Sequence, residues 1–348
     1  MPKGKVKCPG MAAKLGWSAT IRWRIGAALP SSVTTDWNLS MLHFNDAQKA
    51  KLRWIFLGPQ GIRAGWSVVI FLVLLAPVDL IAGALQRNYP SMFTGDIAPG
   101  NSLLIEGLLL FFVAAATAIT GRIEGRAVWS YYGLAGDRPV AKLLAGWIGG
   151  LVCLSLVVGV IVAGGFLVFD GWALHGLPII GYGLIWVLDF LIVGAREELM
   201  YRGYLQATLT RAMGFWPAAI LISILFGAGH IPNPGETIVG ISGVMMRALF
   251  YCYLLRLTGS LWAGIGFHAA WNWAQSYLYG TPQSGHVMLG HLLSVHPAGA
   301  PVLSGGSVGP EGSLLWAPPF VAGMLVFFWA LRRARLFVPT SQASRPLG

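Results

Sequence analysis

The stretch LIWVLDFLIVGAREELMYRGYLQATL, residues 184–209, decides the fold. Its first half is apolar enough for hydrocarbon, yet Arg196, Glu197, Glu198 and Arg202 follow with nothing to break a helix. An ionisable group inside a membrane span costs roughly 2.5–3.5 kcal/mol on insertion scales and faces the interior of a bundle. The remaining sequence agrees with a membrane setting. Of 348 residues, 55% are hydrophobic and 11% charged, with a mean hydropathy of +0.65. Soluble globular proteins carry about 25% charged residues. The 12% of aromatic residues and the long apolar runs exclude a disordered chain. The expectation is an all-α, multi-pass integral membrane protein.

A spanning helix needs about 20 mostly apolar residues. Eight stretches qualify: 65–86, 101–121, 141–168, 184–209, 215–232, 237–257, 260–279 and 314–332. Trp66, Trp147, Trp186, Trp216, Trp262 and Trp316 suit interfacial anchoring near many of their ends. Basic residues then set the orientation. Arg122, Arg126, Arg138 and Lys142 follow the second span, Arg211 the fourth and Arg256 the sixth, whereas Arg87 alone falls on the other side. Loop 279–313 has no Lys or Arg and is read as the long outer loop. The positive-inside rule therefore places both termini in the cytoplasm, and in a bacterium the membrane would be the plasma (inner) membrane.

Three regions result: a basic arm over 1–64, a bundle over 65–335 and a cytoplasmic tail over 336–348. Ten of the 24 basic residues precede residue 64. Their placement points to orientation and contact with anionic lipid of the bilayer, and no nucleic-acid partner is expected. Segment 46–64 mixes bases with Trp54, Ile55, Phe56 and Leu57, which suits the inner leaflet as well as a solvated tail. Lys14, Arg22 and Arg24 interrupt the first 30 residues, so no cleaved signal peptide is read. Cys8, Cys153 and Cys252 form neither a disulfide framework nor a zinc cluster. Absence of an internal repeat weakens a transporter reading.

Three motifs carry the chemistry. In AREELMYRG, 195–203, Glu198 and Arg202 lie four apart and can pair along one helix face. Glu197 points about 100° away and stays free for proton chemistry. In FGAGH, 226–230, Phe226 and His230 share a face; in HAAWN, 268–272, His268 and Asn272 share another. An imidazole and a carboxamide aimed into one volume can hold an oxygen atom. At the α-helical rise, Glu197, His230, His268 and Asn272 lie about 18, 22, 12 and 18 Å from the inner helix ends. These depths allow one shared site. Asp79, Glu106, Asp189 and Arg247 form no constellation that the sequence reveals, and His286, His291 and His296 lie in a loop with little to preorganise a metal site.

The ordered motifs resemble the CPBP family, also called ABI, of intramembrane glutamic proteases, which includes the CAAX prenyl endopeptidases. The likeness spans about residues 184–279. It implies a helical bundle, commonly of eight spans, and an endopeptidase acting on a membrane-associated protein or peptide. It further implies that Glu197 is the general base, activating water together with His230. His268 and Asn272 would then stabilise the oxyanion, with Glu198 and Arg202 in support and no cofactor. Peptide hydrolysis by an activated water needs no covalent nucleophile.

Alternatives remain at this point. One Glu and two His could hold zinc with an open water position, although no HExxH spacing is present. The same buried charges could serve a membrane transport protein, or a non-catalytic immunity or assembly factor that binds a peptide. The sequence is silent on oligomeric state and on the peptide cut.

Overall fold

The computed structural model describes residues 45–89 and 96–337, all within the unit Leu42–Gly348. Most of the basic arm, the tail from residue 338 and the side chain of Asp79 lie outside the described residues.

The described helices in chain order are α1 Asp46–Phe56, α2 Ala64–Asn88, α3 Pro99–Ile123, α4 Pro139–Ala163 and α5 Leu177–Met213. They continue as α6 Phe215–Ala228, α7 Ile238–Thr258, α8 Trp262–Trp273 and α9 Ala317–Arg333. Among the described residues, six helices are long and apolar enough to cross a membrane: α2, α3, α4, α5, α7 and the one ending at Arg333. Two further apolar stretches behave differently. α6 is short, because Gly214 at φ 81° turns the chain straight back after α5 and the helix stops at Ala228. α8 is almost wholly enclosed, with Ala263 through Asn272 all buried.

α8 is seated by close backbone approach. A Cβ on Gly146 or Gly150 of α4 would collide with the carbonyl oxygens of Ala263 or Phe267, and one on Gly266 with that of Leu143. Small residues let membrane helices approach to this degree, since apolar side chains gain nothing by leaving lipid for each other.

Polar contacts tie the helix ends into two opposed faces. On the basic face, the Arg138 guanidinium donates to the Ala334 carbonyl at 3.1 Å and Lys142 donates to that of Thr258 at 2.9 Å. Arg211 there pairs with Glu124 at 2.9 Å. The opposite face holds a two-stranded antiparallel ribbon, β3 Leu167–Trp172 with β4 Leu293–Pro297, which follows a shorter ribbon of β1 Leu57–Gly58 and β2 Gly61–Ile62. Loop 279–313 is thus folded. Its Ser284 hydroxyl donates to Glu311 at 2.7 Å, and Glu311 is ion-paired with Arg247 of α7. His296 pairs with Asp170 across the ribbon. At the start of the described chain, α1 carries a reciprocal cap between Asn45 and Gln48 and buries no residue.

Candidate active site

α5 supplies most of the charge. At Glu198 it widens into a π-helical stretch, Glu198–Leu205, which turns Glu198, Leu199, Arg202 and Gly203 into the protein. Such local π turns recur at functional sites. Arg202 donates to Glu198 Oε1 at 3.1 Å, and both side chains are buried. The guanidinium also lies 4.4 Å from the ring centre of Phe226 and 5.1 Å from that of Tyr251, so its faces meet π-electron density.

His268 of α8 completes this layer. Its Nδ1 is 3.0 Å from Glu198 Oε1, and its Nε2 is 3.5 Å from Glu197 Oε2. A carboxylate can only accept, so Nδ1 carries the proton in the first contact. The ring is stacked on Tyr251, with centroids 5.2 Å apart. One imidazole therefore touches both adjacent glutamates, which face different neighbours along α5.

Glu197 is held as well. Arg196 donates to Glu197 Oε1 at 2.7 Å, and its Nε donates to Glu106 Oε2 at 2.6 Å. Glu106, on α3, clamps the guanidinium that holds Glu197, so the carboxylate is fixed through one oxygen and Oε2 lies outside that clamp. Deeper in chain order, Ser102 donates to Asp189 at 2.9 Å.

His230 lies in the turn just beyond α6. Its Nδ1 donates to the Phe226 carbonyl at 2.8 Å, which leaves Nε2 as the acceptor of the neutral ring. Glu197 and His230 line one cavity of about 290 Å³, together with Glu106, Asp189, Arg196 and Ser284. His268 and Asn272 are buried and are not among the described residues lining that cavity. Asn272 follows His268 by one turn of α8, just before a π-helical turn at Ala274–Leu278. Among the described residues, no group of three or more His, Cys, Asp and Glu is arranged to hold a metal ion.

The part of the chain that carries these motifs is similar to a known protease family. Residues 179–274 match the Rce1-like family of type II CAAX prenyl endopeptidases. The match agrees with the CPBP likeness of the three motifs and with the multi-pass helical fold. It supports, in general terms, a CAAX-type intramembrane endopeptidase: a hydrolase acting on a membrane-associated protein in a lipid bilayer. No curated protein matches the chain.

Several polar partners escaped the sequence reading. Arg196 and Glu106 carried a signal only in hindsight: one is the residue preceding the glutamate pair, the other a lone carboxylate in an apolar run. Arg247 and Glu311 lie 64 residues apart, beyond any local pattern. Phe226 was read as a motif member without a task, and it packs on the Arg202 guanidinium and edge-on to His268.

Proposed function

We propose that the chain hydrolyses a peptide bond of a membrane-associated protein or peptide with a water activated by Glu197 and His230. The observation that carries this reading is the shared cavity: a fixed carboxylate on α5 and an imidazole with a free Nε2 in the turn after α6 face one water-accessible space. Arg196 occupies Oε1 of Glu197, which leaves Oε2 to accept the proton from water. His230 Nε2 accepts the second contact of that water and orients its lone pair toward the carbonyl carbon.

Three glutamates (Glu106, Glu197 and Glu198) meet two arginines (Arg196 and Arg202). His268 Nδ1 donates to Glu198 Oε1, and its Nε2 lies 3.5 Å from Glu197 Oε2. For the developing oxyanion we assign Asn272, whose carboxamide donates, and His268, one turn before it on the same helix. Glu198 fixes the His268 ring through Nδ1, and Arg202 fixes Glu198. Nothing in this scheme needs a metal.

Purified protein in proteoliposomes tests the assignment. Glu197→Gln keeps the hydrogen bond to Arg196 but cannot take the proton, so cleavage falls to background while peptide binding survives. His230→Ala is nearly as severe. Asn272→Ala loses about 10²–10³ in turnover, the usual effect of one oxyanion donor. Wild-type cleavage survives a strong chelator after verified metal removal. Wild-type proteolysis by Glu197→Gln would falsify the base assignment, and flux without any cleavage product would favour a transporter.

A further inference from the structure

We infer that the site is served from the non-cytoplasmic side of the membrane, so that its substrate is an exported or outward-facing peptide segment and not a cytosolic C-terminus. This rests on the peptidase reading of the same site and adds the side from which the peptide arrives.

The first observation is which parts of the chain build the cavity. Its lining includes Ile97 before α3, Asn233 after α6, and Gln283, Ser284, His286 and Met288 of loop 279–313. All of these precede a helix that runs toward the basic face or follow one that runs away from it. Segment 287–289 is bonded to Ile97 on both sides, Ile97 donating to Val287 at 2.9 Å and Leu289 to Ile97 at 3.0 Å. None of the described lining residues comes from the basic face.

A second, independent observation concerns what lies beneath. Between the Glu198–Arg202 layer and the basic helix ends sits a cluster of buried apolar residues that includes Leu199, Tyr204, Leu205, Tyr132 and Leu261. Tyr204 and Tyr132 have no exposed surface, and Phe71 stacks on Tyr204 with centroids 4.0 Å apart. A peptide coming from that side would have to part this layer. One coming from the other meets Asn233, Ser284 and His286 first.

The third is charge. Arg122, Arg211, Arg256, Arg332 and Arg333 all occupy last helical turns at one face. Arg87 alone holds such a position at the other. Short loops rich in Lys and Arg stay in the cytoplasm. The sealed face is therefore the cytoplasmic one, and the cavity belongs to the outer side.

Single cysteines test this in the full-length chain with Cys8→Ser as background, because Cys153 and Cys252 are buried. In spheroplasts of a bacterial host, Asn233→Cys at the cavity rim should react with a membrane-impermeant maleimide as fully as after permeabilisation. Ala212→Cys on the basic face should react only after permeabilisation. The reverse pattern overturns the inference. A parallel arm adds an impermeant fluorogenic peptide to sealed proteoliposomes whose orientation is set by protease trimming of an N-terminal tag. Cleavage should scale with the fraction presenting Asn233 outward; scaling with the opposite fraction overturns the inference. If no peptide is cut even in detergent, the peptidase reading fails while the labelling result still decides access.

Discussion

His268 Nδ1 lies 3.0 Å from Glu198 Oε1, the same oxygen that accepts from Arg202 at 3.1 Å. One carboxylate oxygen thus orients the imidazole and neutralises the most deeply buried cation of the site. Replacing Glu198 by Gln leaves the Arg202 charge uncompensated in a dry environment. Breaking one partner of a buried pair costs about 3–5 kcal/mol. Glu198→Gln should lower both the amount of folded protein and its thermal midpoint in detergent, in addition to activity. Normal yield and an unchanged midpoint would reject the structural role.

The clamp on Arg196 acts at one remove from the reacting atoms. Glu106→Gln keeps an acceptor for Arg196 but weakens its hold, so Glu197 drifts. A displacement of about 1 Å at a reacting group costs on the order of 10²-fold in rate. We expect a loss of that order in kcat with KM nearly unchanged, and Glu106→Asp, which keeps the charge, should recover part of it. A variant with wild-type kcat would remove Glu106 from the mechanism.

The Arg247–Glu311 pair should be insensitive to pH across the physiological range. Burial raises the Glu311 carboxyl, but Arg247 and the Ser284 donors outweigh it and hold it below the ordinary carboxylate range. A depressed carboxylate contributes stability that is complete above its unfolded value near 4.3 and is lost as pH falls through the folded one. Limited proteolysis of loop 279–313 should therefore give one pattern from neutral pH down to about pH 5, whereas Glu311→Gln exposes the loop at pH 7. Wild-type nicking that appears between neutral pH and pH 5 would show that the pair is not what holds the loop.

The glycine contacts of α4 allow an internally controlled experiment. Gly150→Ala places a methyl group against the Phe267 carbonyl, and forced overpacking costs typically 1–3 kcal/mol. Because Phe267 precedes His268, the shift should also lower kcat. Gly159 is on the same helix with open space around it, so Gly159→Ala should be neutral or slightly stabilising. Equal effects from the two would mean that helix propensity, and not the approach of α8, decides the outcome.

Much of this protein was legible in its residues. Apolar runs marked the long helices, and three short motifs marked the helices that carry the candidate site. What stayed hidden was of two kinds. The π-helical stretches at Glu198 and Ala274 carry no residue signature, because they answer to packing between helices rather than to propensity. The partners of Arg196 and Arg247 come from α3 and from loop 279–313, and only the fold brings them within reach. A helical wheel shows that Glu197 points away from Glu198 and nothing of which groups wait there, which is why Arg196 and His268 could not be named as its neighbours.

The 64-residue separation of Arg247 and Glu311 also sets an order of events during biosynthesis. Arg247 leaves the ribosome and enters the bilayer region well before its counter-ion exists. Until the chain reaches residue 311, that guanidinium must keep water or lipid headgroups around it, so α7 cannot take its final depth. α8, which packs between α4, α5 and α7, is synthesised in the same interval. The segments bearing His230, His268 and Asn272 can therefore settle only when loop 279–313 has been made and folded, and the newborn chain is without a finished site until then.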